Sequence, residues 1–72
     1  MYVDYDIPIC EGLPKAALEE IEILDKAYKE DDVGTYMLHE DAVESYIKQA
    51  VEDGRITEKD LDTMFKRFGW RL

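Results

Sequence analysis

The sequence predicts a small all-α fold: a bundle of three main helices preceded by an extended N-terminal arm. Three observations lead there. Residues 43–68, VESYIKQAVEDGRITEKDLDTMFKRF, carry two apolar stripes at i, i+3, i+4, i+7 spacing, joined at Asp53-Gly54-Arg55. A third stripe runs from Pro14 to about Lys29. Strand-like alternation occurs only in residues 2–9. At 72 residues the chain is one domain, divided into an arm and linker over 1–13 and a helical domain over 14–72.

In the arm, Tyr2, Val3, Tyr5, Ile7 and Ile9 stand against Asp4, Asp6 and Pro8. Pro8 confines any strand to a sheet edge. With no second strand in the chain, the segment either packs as an extended arm or pairs with another chain, and isolated strands are unstable, which favours the arm. Cys10-Glu11-Gly12-Leu13 is a short linker.

Pro14 suits the first helical position. Ala17, Leu18, Ile21, Leu24 and Tyr28 form the core stripe of that helix. Ile23, with Ala16 and Ala27, points to the opposite side beside Glu20, which makes Ile23 a candidate contact with another chain. Glu30-Asp31-Asp32-Val33-Gly34 breaks the helix. Residues 35–40, TYMLHE, admit two arrangements: a short helical turn, or a helix capped by Thr35 that continues into the next. At least one of Tyr36, Met37 and Leu38 covers the core.

The next helix carries Val43, Tyr46, Ile47, Ala50 and Val51, and Gly54 ends it. Thr57 is the N-cap of the last helix, with Asp60 at the capping-box position and Ile56 and Leu61 at hydrophobic-staple spacing. Leu61, Met64, Phe65 and Phe68 lie on its inner face. Lys66 and Arg67 occupy the last turn, where cations suit the helix dipole, and Gly69 is the stop. Ala17, Leu18, Ile21, Leu24, Tyr28, Val43, Tyr46, Ile47, Ala50, Leu61, Met64, Phe65 and Phe68 are the predicted core.

Two resemblances arise at the helix junction. Asp53-Gly54-Arg55-Ile56 resembles the middle of an EF-hand calcium loop. With Gly54 at the sixth loop position, however, the first and third ligand positions fall on Gln49 and Val51, and the last on Asp60 where a bidentate Glu is normal. The stretch is also similar to the short helical module at the C-termini of many larger bacterial proteins, which has a helix, a Gly, Ile-Thr and then acidic residues opening another helix. That resemblance covers about a third of the chain; capping alone can produce the pattern, so it brings no function with it.

Composition narrows the function classes. The formal charge is −9 and uneven: residues 1–53 hold 15 acids against 4 bases, residues 54–72 hold 3 against 5. An acidic body repels nucleic acid and membranes at long range and attracts basic protein surfaces. The 46% hydrophobic share is too high for a disordered acidic tail. No apolar run spans a bilayer and no cation precedes the apolar residues of the N-terminus, so a cytoplasmic location is expected. Cys10 is the only cysteine and His39 the only histidine, which rules out an internal disulfide and gives no structural zinc set. No cofactor or metal is expected. For so small a core, self-association or docking on a partner gains weight by elimination.

No catalytic constellation emerges. His39 adjoins Glu40 and Asp41, and the lone serine, Ser45, is too far around a helix to bond with it. FKRFGWRL interleaves cations with aromatics in the manner of single-strand binders, so Lys66, Arg67, Trp70 and Arg71 are candidate nucleic-acid contacts. Against this, Phe65 and Phe68 belong to the core stripe and Trp70 can fold back as a hydrophobic cap. The leading expectation is a non-catalytic protein-interaction or regulatory module that binds a basic partner surface, or its own copy, through Tyr2, Val3, Tyr5, Ile7, Ile9 and Ile23. The alternatives are a nucleic-acid mimic that inhibits a DNA- or RNA-binding enzyme, and direct nucleic-acid binding through the basic C-terminal helix end.

Overall fold

The computed structural model describes residues 1–70. Three helices form in the predicted order, α1 (Lys15–Lys29), α2 (Val33–Glu52) and α3 (Glu58–Arg67), with no strand among the described residues. α1 and α2 make an antiparallel hairpin. α3 packs against α2 and reaches α1 only through side chains.

One device ends all three helices. The residue after each C-cap takes a positive φ: Asp31 at 56°, Gly54 at 73° and Gly69 at 70°. The amide one residue further on then bonds back to a carbonyl of the last turn: Asp32 to Ala27, Arg55 to Ala50 and Trp70 to Phe65. Gly54 and Gly69 stop their helices as the sequence predicts. The first stop is Asp31, not Gly34, which lies inside the first turn of α2. Asp visits this region at lower cost than most residues with a Cβ.

Residues 35–40 are therefore helical and continuous with the following segment. The N-cap is Asp32 rather than Thr35: its carboxylate accepts from the Thr35 amide at 3.1 Å and the Thr35 hydroxyl at 2.7 Å. The hydroxyl bond, then the amide bond, hold the Asp32 carboxyl below the usual carboxylate range. α3 begins with a full capping box. Thr57 Oγ1 accepts from the Asp60 amide, and Asp60 Oδ2 accepts from the Thr57 amide. Pro14 sits at the N-cap of α1, one residue earlier than predicted.

The core gathers Ala17, Ile21, Leu24 and Ala27 from α1, Tyr36, Val43, Ile47 and Ala50 from α2, and Met64 and Phe65 from α3, closed by Phe68. Tyr28 and Leu61 pack at its edge. Two predicted core residues lie outside it. Leu18 is 42% and Tyr46 37% exposed; helical spacing places a residue on one side of its own helix but does not say which flank a neighbour covers. Ala27, expected on the outer side, is buried where α1 meets the start of α2.

The N-terminal segment completes this core. Val3 and Leu13 are buried, and Ile56 joins them from the α2–α3 turn. A turn interrupts the extended path, with the Ile7 amide bonding Asp4 O and the Asp6 amide bonding Asp4 Oδ1. The radius of gyration, 11.3 Å, matches the ~11 Å of a compact chain of this length, as a segment folded onto the helices requires. At Gly12 (φ 103°) a Cβ would collide with the Arg55 carbonyl oxygen, and the Gly12 carbonyl accepts from Arg55 Nε at 3.1 Å. Only glycine lets the linker lie this close to the α2–α3 turn.

Candidate functional site

The α1–α2 hairpin has two faces, and its acids are used differently on each. One face lies under α3 and the N-terminal segment. Here Asp25 of α1 takes a two-pronged bond from Arg67, at 2.7 and 3.1 Å. Arg67 also donates from Nε to the Ile7 carbonyl at 2.9 Å, and its guanidinium lies over the rings of Phe68 and Tyr5. The Arg67 carbonyl accepts from the Asp4 amide, and the Tyr5 hydroxyl donates to the Asp25 carbonyl. A planar, five-donor cation suits this crossing of α1, α3 and the segment. Glu40 of α2 accepts from Trp70 Nε1 at 2.8 Å.

This arrangement corrects the candidate nucleic-acid residues. Arg67 is 5% exposed and its donors are committed to the protein itself. Trp70 stacks on Phe68 at 4.8 Å and meets Phe65 edge-on at 5.3 Å, folding back as a cap. Lys66 is exposed but pairs with Asp62 one turn earlier. Arg71 lies outside the described residues. A buried arginine within an amphipathic stripe looks in sequence like an ordinary helix-end cation, and only the facing Asp25 reveals its role.

The candidate partner-binding residues divide as well. Val3 is withdrawn, because at 4% exposure it is core. The side chain of Ile7 is half-buried and its carbonyl is taken by Arg67. Ile9 stays on the surface. Tyr2 and Tyr5 flank Tyr28 at 6.3 and 6.1 Å, forming a small exposed aromatic cluster. The backbone pins both ends of the cluster: the Tyr36 hydroxyl donates to Tyr2 O, and Tyr5 is held by Asp25. Burial, then the Asp25 charge, raise the Tyr5 hydroxyl above its ordinary value.

The second face is uncovered. His39 Nδ1 and Glu20 Oε2 meet at 2.7 Å across the α1–α2 seam; the imidazole donates, since a carboxylate only accepts. On α1, Ala16, Ile23 and Ala27 stand four before, three after and seven after Glu20, so they line its side of the helix. On α2, Thr35, Ala42 and Tyr46 hold the same places relative to His39. Near the α1–α2 turn the two helices border a depression of about 300 Å³ lined by Ile23, Lys26, Ala27, Glu30, Asp32 and Thr35. A second depression, of about 390 Å³, lies on α2 alone, lined by Ala42, Ser45, Tyr46 and Gln49. Leu38, one turn before Ala42, is 77% exposed. Ile23 thus has the outward position the sequence assigns it. Leu38, Ala42 and Tyr46 were legible only as a second stripe on a helix that begins at Val33.

Burial, then the Asp60 charge, raise the Cys10 thiol above its ordinary value, the opposite of what activates a nucleophile. Among the described residues no three His, Cys, Asp or Glu side chains cluster to hold a metal ion. At the calcium-loop resemblance, Asp53 accepts from the Gln49 side chain and Asp60 is spent in its capping box. No helix of the described residues is long and apolar enough to cross a membrane. Comparison with known proteins returns no match, whether with family models, curated proteins or solved structures.

Proposed function

We propose that this chain is a non-catalytic protein-interaction module that engages a basic surface of a partner protein. The observation that carries the proposal is the uncovered hairpin face, where exposed apolar side chains share the surface with more acids than cations. Leu38 and Tyr46 are solvent-exposed and Ile23 is half-buried; Glu30 and Asp32 line the depression beside Ile23 with Lys26, while Glu19 pairs with Lys15 and Glu20 with His39. Apolar anchors with a charged rim are the anatomy of a protein interface, and the rim's sign selects a cationic partner and speeds its encounter. Nucleic acid is disfavoured by the same charge and by the commitment of Arg67 and Trp70 to the fold.

The test is an affinity capture with tagged protein, treated with nuclease, beside a Glu19/Glu20/Glu30→Gln variant. The expected result is a near-stoichiometric partner with a basic binding region that survives nuclease and is lost from the variant. A partner held equally by the variant, or lost on nuclease treatment, overturns the proposal.

A further inference from the structure

We propose that two copies of this chain associate through α2, antiparallel, with Leu38 of each seated in the depression on the α2 of the other. This goes beyond the basic-partner reading and does not rest on it. The depression is lined by Ala42, Ser45, Tyr46 and Gln49, which have the i, i+3, i+4, i+7 spacing of one helical face. Four residues of a facing helix form the hole that receives one side chain in knobs-into-holes packing. Ala42 and Ser45 are small while Tyr46 and Gln49 are long, so a single helix carries a concavity here. Its volume, about 390 Å³, exceeds the roughly 150 Å³ of an apolar cavity that holds benzene, so a leucine side chain fits.

The knob is on the same helix. Leu38, at 77%, is the most exposed large apolar residue among those described. It stands four residues before Ala42 and seven before Ser45, so it shares their face of α2. A two-fold axis perpendicular to α2 near Ala42 turns the helix end for end. It carries Leu38 of one copy to the level of Ser45 and Tyr46 of the other, because these follow Ala42 by as much as Leu38 precedes it. Each copy then supplies one knob and one hole, the self-complementarity that a two-fold dimer requires. At the axis Ala42 meets Ala42 of the second copy. Only methyl groups separate the backbones there, so the helix axes can approach to about 8 Å.

Charge is consistent with this occupant. Leu38, Ala42, Ser45, Tyr46 and Gln49 are all uncharged, in a chain of which 38% is charged. The stripe gives a charged partner segment nothing to pair with, and it meets its own copy without opposing like charges along its length. None of the ion pairs on α1 takes part, and the depression beside Ile23 is not used. Asp41 is the exception at the stripe's edge. It lies one residue before the axis, so it faces Asp41 of the second copy. That repulsion, and a stripe only roughly 20 Å long from Thr35 to Gln49, make the dimer a weak one.

The experiment is sedimentation equilibrium of the full chain under reducing conditions, at concentrations up to about 1 mM, the weak end of measurable association. A concentration-dependent dimer is expected. Leu38→Glu should weaken it by about tenfold or more, the scale of an interface hot spot. Leu18→Glu, on an exposed apolar residue of α1, should leave it unchanged. Asp41→Asn should tighten it by about twofold, the worth of an exposed charge contact. A cysteine reads the register. In a Cys10→Ser chain, Ala42→Cys should oxidise to a covalent dimer, since residues facing across the axis come within the ~4.4–6.8 Å Cα separation of a disulfide. Leu18→Cys should not. Circular dichroism checks that each variant folds. A monomer at every concentration overturns the proposal. So does a dimer that survives Leu38→Glu or loosens with Asp41→Asn, or cross-linking at Leu18→Cys as readily as at Ala42→Cys. The affinity capture decides the basic-partner reading separately: a monomeric chain that still holds a basic partner overturns the dimer alone.

Discussion

The two faces of the α1–α2 hairpin start from similar material and end differently. Each has apolar residues in helical register and acids beside them. On the covered face Asp25 and Glu40 are matched by Arg67 and Trp70, and the side chains between them are sealed. On the open face Glu20 is matched by His39 from within the hairpin, and Leu38 and Tyr46 remain in water. An acid on a helix is therefore not simply a solvated group. Asp25 and Glu40 tie other elements to the hairpin, whereas Glu19 meets only Lys15, an exposed cation one turn earlier on the same helix. The faces should differ accordingly, in stability on one side and in binding on the other.

The largest expected effect is on the covered face. Arg67→Ala leaves Asp25 without its cation and frees the Ile7 carbonyl. Breaking a buried pair from one side costs about 3–5 kcal/mol, so urea unfolding should show most of the domain's stability gone. Arg67→Lys should recover only part, because an ammonium cannot make the forked bond. A loss under about 1 kcal/mol for Arg67→Ala would mean the covered face is not the stronger one.

Next comes Tyr36, whose buried hydroxyl ties α2 to Tyr2. Tyr36→Phe should cost about 1 kcal/mol at neutral pH, the net worth of one hydrogen bond. Burial raises its hydroxyl above the ordinary 10.0. A group raised on folding contributes stability that is complete below the unfolded value and lost as the pH climbs through the folded one. The native chain should thus lose stability above pH 10.0, and the Phe variant should lose less, with the remaining slope due to Tyr5. Parallel pH–stability curves for the two proteins would contradict this assignment.

Smaller effects belong to the open face. His39→Ala should cost no more than about 1 kcal/mol, since the Glu20 it leaves behind can be hydrated. Smallest of all, Leu38→Glu should change unfolding free energy by less than about 0.5 kcal/mol, the reverse of Arg67→Ala. A large stability loss at Leu38 would erase the contrast between the faces.

The sequence by itself determined the helices, because their signals are local. Apolar spacing, the Thr57–Asp60 box and the glycine stops at Gly54 and Gly69 act within a few residues, and each appears where the pattern puts it. The start of α2 was less legible, because Asp31 performs a stop that glycine usually makes and Gly34 drew attention away from it. Ile23's outward position could also be read, since it depends on the period of one helix. Only the tertiary structure decided that Val3 is core, that Leu18 and Tyr46 are not, that Arg67 is a buried clamp, and that Glu20 and His39 bridge α1 and α2. The physical reason is shared. A helix's own periodicity says which residues lie on one side, but which side is covered depends on where distant elements dock, and the partners of Arg67 and His39 lie far away along the chain.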